Sequence, residues 1–137
     1  MRRDGFTLVE LLIVIVILGI LVAMGFLGVR AYTAKAYNIT VKHDLLSFVK
    51  AQEIYLAEKA RYLGTQGDYL KGGSATGTLN REELKYSPSP GVRIDIISGD
   101  GASPDGPPAF RAEATHDMAS LVYGYNFSTH EYTERGK

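Results

Sequence analysis

Between positions 11 and 29 lie 19 consecutive residues without a charged side chain, LLIVIVILGILVAMGFLGV. As a helix rising 1.5 Å per residue this run is about 28 Å long, close to the ~30 Å hydrocarbon thickness of a bilayer. A buried helix of a soluble domain keeps one polar face, whereas this run is apolar all round, so it is read as membrane-crossing. Arg2 and Arg3 precede it. Basic flanks stay on the cytoplasmic side, which puts the residues after the run outside. A secretory signal has a shorter apolar core with its small-residue cleavage site behind it. Here the small residue placed to mark a cut, Gly5, comes before the run, and cutting there leaves the span attached. One acid, Glu10, stands at the head of the apolar stretch, and a carboxylate in hydrocarbon is costly without a partner.

The chain has 137 residues, which leaves about 110 for one modest domain after the span. Lys+Arg and Asp+Glu both number 15, so no net charge points to a nucleic-acid partner. Cysteine is absent, and a domain on the oxidising side of a membrane must be held by packing rather than disulfides.

No proline follows the span before Tyr62, and the helical rhythm continues. Val41, Leu45, Phe48, Val49, Gln52, Tyr55 and Leu56 recur at spacings of three and four on one stripe. Lys42, His43, Asp44, Lys50, Glu53, Lys59 and Arg61 fall on the other face and are expected in solvent. A single helix from Thr7 to Tyr62 follows, some 56 residues and about 84 Å. Gly19, Gly25 and Gly28 weaken it by up to about 1 kcal/mol each, making the stretch around Gly25 and Gly28 the place for local unwinding or, equally, for close helix packing.

Residues 63–91 read as a Gly/Ser/Thr-rich loop, interrupted by "NREELK", where Asn80 and Glu83 have the spacing of an N-cap with its capping acid. Then come alternating segments: "VRIDIIS" (92–98) with Val92, Ile94 and Ile96 on one face, "AFRAEAT" (109–115), "LVYGYNF" (121–127) and "HEYTE" (130–134). "GDGASPDGPP" (99–108) is the turn between the first two. The expectation is an α+β domain, a long N-terminal helix whose second half covers an antiparallel sheet of three or four strands within 92–134.

The N-terminal "GFTLVE" ahead of an uncharged span, with a short basic leader, resembles the type IV pilins and the related pseudopilins of type II secretion. The order of helix and then sheet agrees with that family's architecture. "AYTAKAYN" (31–38) is also similar to a tract in the short pilins of metal-reducing bacteria. The resemblance implies a leader, residues 1–5, removed by a prepilin peptidase between Gly5 and Phe6, and N-methylation of the new Phe6 amine. It further implies a transmembrane and filament-core helix over 6–29 and a globular domain over 30–137. Glu10 is then the fifth residue of the mature chain, and its carboxylate pairs with the Phe6 amine of a neighbour during docking. The implied partners are further copies of the chain in a helical filament, the peptidase/methyltransferase, an inner-membrane assembly platform and the membrane itself. The implied path runs from single-pass inner-membrane protein to extracellular pilus.

The chain also departs from that pattern. Many pilins carry a proline partway along the span, a C-terminal disulfide loop, or, in major pseudopilins, a calcium-binding loop with tryptophans; here the span has glycines, and Cys and Trp are absent.

No catalytic residue, metal or cofactor is assigned. His43, His116 and His130 show no ligand spacing and are expected to be solvated. Asp100 and Asp105 are turn formers before they are calcium ligands. "NIT" (38–40) and "NFS" (126–128) match the glycosylation acceptor pattern, a short and common one. Phe26, Tyr32, Tyr37, Phe48, Tyr55 and Tyr62 punctuate the helix, which raises electron conduction as a minor alternative to ring packing. Pilus subunit and secretion pseudopilin are the two function classes that remain.

Overall fold

The computed structural model describes residues 5–99 and 109–137. The basic flank Arg2 and Arg3, most of the expected leader, and the expected turn with Asp100 and Asp105 lie outside the described residues. The chain divides into two compact units, Met1–Thr33 and Ala34–Lys137.

The first helix, α1, spans Leu8–Lys59, 52 residues, and contributes to both units. It is unbroken through Gly25 and Gly28, so of the two readings of these glycines local unwinding is not found. Large apolar side chains of its first part are exposed, from Leu8 to Val22 and Phe26. The helix stops three residues before the expected Tyr62. Ala60, at φ 57°, turns into the left-handed region while its N–H still donates to the Leu56 carbonyl at 2.8 Å. A Cβ is unfavourable in that conformation, so Ala60→Gly is expected to stabilise the domain by about 0.5–1 kcal/mol, read from its denaturant midpoint.

The turn at Ala60 brings Tyr62 back against the sheet, where it stacks on Phe110 (5.3 Å between centroids) and meets Phe127 (4.7 Å). Phe127 also touches Phe48, Phe110 and Tyr125. Aromatic pairs of this kind contribute about 0.5–1.5 kcal/mol each beyond area burial, and together they tie the C-terminal strands to the helix without a disulfide.

In the second unit the sheet has five antiparallel strands in sequential order: β1 (Tyr69–Lys71), β2 (Val92–Ser98), β3 (Arg111–His116), β4 (Leu121–Asn126) and β5 (Glu131–Gly136). This corrects the expected three or four. Three residues, Tyr69 to Lys71, are too few to show alternation, and glycines surround them. They form a strand because they pair with Asp95, Ile94 and Arg93 of β2. The far edge of β1 is covered by its own chain, through the Leu70–Gly77 bridge and the Thr78 and Leu79 N–H groups on the Tyr69 carbonyl. At the other end β5 is the edge, starting at Glu131 rather than His130, because His130 is the left-handed turn residue (φ 56°) before it.

The expected stripe of α1 covers the sheet: Val41, Leu45, Phe48, Val49, Gln52 and Tyr55 are buried with Val92, Ile94, Ile96, Ala112, Ala114, Tyr123 and Tyr125. Three side chains of α1 add polar clamps. The Asn38 Oδ1 accepts the N–H groups of Ser120 (3.0 Å) and Leu121 (3.1 Å), and its Nδ2 donates to the Ser120 hydroxyl. Asp44 accepts from the Ser89 N–H (2.7 Å) and hydroxyl (3.1 Å). The Gln52 amide donates to the Leu63 carbonyl (2.8 Å) and accepts from its N–H (2.9 Å). Asp44, expected in solvent, is therefore buried, because it lies at the flank of the apolar stripe, three residues from Val41 and four from Phe48, and the 86–89 segment folds back over it. His116 also departs from expectation. It is buried, stacked on Tyr37 at 4.1 Å, and its Nδ1 accepts the Met118 N–H. His43 and His130 are exposed as expected.

Between β1 and β2 the expected helical turn is α2 (Arg81–Leu84), capped by Asn80, whose side chain accepts from the Glu82 and Glu83 N–H groups. Glu83 does not close a capping box; its carboxylate takes the Tyr55 hydroxyl at 2.5 Å.

Candidate functional site

The residues that carry the functional reading lie together at the start of the first unit. Gly5 and Phe6 precede α1 in non-helical backbone. Phe6 is 83% exposed and a Cβ on Gly5 would meet nothing within 4 Å, so both residues of this bond are exposed.

Thr7 is the N-cap of α1. Its hydroxyl accepts the Glu10 N–H at 3.3 Å, and the Glu10 carboxylate accepts both the Thr7 N–H (2.9 Å) and the Thr7 hydroxyl (2.8 Å). This is a capping box, in which residue and cap satisfy each other's free donors, and it sets an acid at the positive end of the helix macrodipole. The carboxylate is thus held at the first turn of α1, bonded to the residue that follows Phe6. No hydrogen bond joins Glu10 to Phe6 among the described residues. In the uncut chain the Phe6 nitrogen is a peptide amide, so pairing with an amine requires cleavage first. Thr7 is the residue that sequence reading passed over, although Thr-x-x-Glu ahead of an apolar run is itself a recognisable capping signal.

Beyond this box, among the described residues α1 is the one helix long and apolar enough, by length and composition, to cross a membrane. In its first half the missing side chain of Gly25 opens a shallow groove of about 320 Å³ lined by Val22, Phe26, Val29 and Arg30.

Other candidate chemistry is dispersed. Among the described residues no group of three or more His, Cys, Asp or Glu is placed to hold a metal ion. Of the helix aromatics, Phe26 and Tyr32 are exposed and make no ring contact among the described residues, while Phe48, Tyr55 and Tyr62 are buried in the domain core. The sequon residue Asn38 is buried by its Ser120 clamp.

Comparison with known proteins bears on the same segment. The family model for the prokaryotic N-terminal methylation motif matches residues 1–26. The type IV major pilin protein PilA of Myxococcus xanthus is 38% identical over 61 residues, which is 44% of this chain and 28% of that protein. The type II secretion system core protein G of Klebsiella pneumoniae is 35% identical over 65 residues, 47% of this chain and 46% of that one. The protein of the same name from Pectobacterium carotovorum subsp. carotovorum is 34% identical over 85 residues, 62% of this chain and 54% of that one. The chain thus spans about half, or less, of the curated relatives it matches. The methylation motif, the relatives of both kinds and a long N-terminal helix followed by an antiparallel sheet make this chain similar to the type IV pilins and the type II secretion pseudopilins.

Proposed function

We propose that the chain is a structural subunit, not an enzyme, of a type IV pilus. It is inserted in the inner membrane through α1, cut between Gly5 and Phe6, N-methylated on Phe6 and polymerised through its N-terminal helix. The observation that carries this reading is the exposed Gly5–Phe6 bond set directly before a capped helix whose apolar side chains face outward on every side. Such a surface is stable in lipid or against other copies of itself, since burial of apolar area contributes about 25 cal/mol per Å². The partners on this reading are the prepilin peptidase and methyltransferase, an inner-membrane assembly platform, and neighbouring subunits whose Phe6 amine receives Glu10.

A second reading, the pseudopilin of a type II secretion system, is favoured by the two relatives named core protein G. Sheared cell-surface material imaged by negative stain and probed for this chain separates the two. Long labelled fibres support the pilus, whereas their absence together with a secretion defect on deletion supports the pseudopilin. Intact mass tests the processing common to both: the expected mature chain begins at methylated Phe6. A mature protein that begins at Met1, or that has lost the whole apolar run, rules both out.

A further inference from the structure

The two edges of the sheet are unlike each other. The β1 edge is closed by the chain segment around Gly77 to Leu79. On β5 all six residues are exposed, and among the described residues no strand pairs with its outer edge. Open edges are templates for further strands and are usually guarded by charge. The charges on β5 are not a uniform guard, because Glu131, Thr133 and Arg135 share one face of the strand in the order acid, neutral, base.

We propose that β5 is a self-association edge that pairs with the β5 edge of a second copy of this chain, antiparallel and centred on Thr133. In that register Thr133 faces Thr133 and Glu131 faces the partner's Arg135 twice, once on each side of the two-fold axis. Opposite charges directly across a strand pair stabilise it, and like charges destabilise it. The alternatives that keep the same sheet face are poorer. A slip of two residues one way sets Tyr132 opposite itself and leaves neither ion pair. A slip the other way sets Glu134 against Glu134. Both charged groups already have a partner within their own chain, Glu131 with the Thr129 hydroxyl (3.1 Å) and Arg135 with Glu113 (2.8 Å). Pairing therefore extends the Arg111–Glu113–Arg135 network across the two-fold axis instead of pulling charges out of water alone.

A two-fold axis normal to the sheet reverses every direction within it, so the covering helix of one second unit runs opposite to that of the other. The contact consequently joins second units whose covering helices run in opposite directions. It goes beyond the filament reading and does not need it, since the chain dispersed in detergent carries the same edge.

The chain lacks cysteine, so Thr133→Cys provides a single thiol. Residues directly opposite in an antiparallel pair have Cα atoms about 4.5–5.5 Å apart, within disulfide reach. In the purified full-length chain in detergent under mild oxidant, the Thr133→Cys dimer is expected to form roughly tenfold faster than that of Glu82→Cys, an exposed position on α2. Adding Glu131→Arg to Thr133→Cys sets a second guanidinium against the partner's Arg135 on both sides of the axis, and the rate is expected to fall roughly tenfold. Equal rates for the two single thiols, or no response to Glu131→Arg, overturns the pairing, whether or not filaments form.

Discussion

Glu10→Ala is expected to leave membrane insertion and cleavage after Gly5 intact, yet to be under-represented in sheared filaments roughly tenfold or more relative to the membrane pool when co-expressed with wild type. The capping box makes the alanine result ambiguous by itself, because alanine removes both a charge and the acceptor of Thr7. Glu10→Gln resolves it. Glutamine can serve as the third-position partner of a capping box but carries no charge to meet an amine. If Glu10 acts by charge pairing with the neighbouring Phe6 amine, Gln fails as Ala does. If it acts by ordering the first turn of α1, Gln assembles like wild type and the docking role is lost. Equal representation of the alanine chain in both pools removes both roles.

Gln52→Leu is expected to destabilise the domain by about 2–5 kcal/mol although it conserves size and adds apolar surface, because it leaves the part-buried N–H and C=O of Leu63 without partners. Gln52 has no exposed surface, so water does not replace the lost bonds at that side chain. Denaturant unfolding of the full-length chain in detergent, followed through the near-UV signal of its tyrosines, measures the loss. A change below about 1 kcal/mol shows that the 60–63 segment re-forms its bonds elsewhere.

How far the sequence discloses this molecule depends on how local each cause is. The stripe from Val41 to Tyr55 is readable because helical period alone decides which residues face the sheet. β2, β3 and β4 are readable because alternation over six or seven residues is a strong signal. Asp44 is not, because its burial is tolerable only when the distant segment 86–89 supplies hydrogen bonds; His116 is in phase with Ala112 and Ala114 on the buried face of β3, and its polarity hides that place in the period. β1 is invisible for the same reason as Asp44, since its three residues are a strand only by virtue of β2. At the candidate site, Gly5, Phe6 and Glu10 stand out by their place around the apolar run. Thr7, which completes the box, is overshadowed by its charged neighbour.

The three polar clamps along α1 also order the assembly of the domain in time. Gln52 reaches a partner 11 residues away, Asp44 one 45 residues away and Asn38 one 82 residues away. Closing the longest of these loops from an open chain costs about 1.8 kcal/mol more entropy than closing the shortest, and contacts distant in sequence form slowly for that reason. Each closure shortens the next, so the strands are gathered onto the helix from its C-terminal end toward its N-terminal end. Gln52 is the first to engage, and Gln52→Leu should then slow folding itself rather than only hasten unfolding, whereas the loss of the Asn38 clamp falls on the unfolding rate.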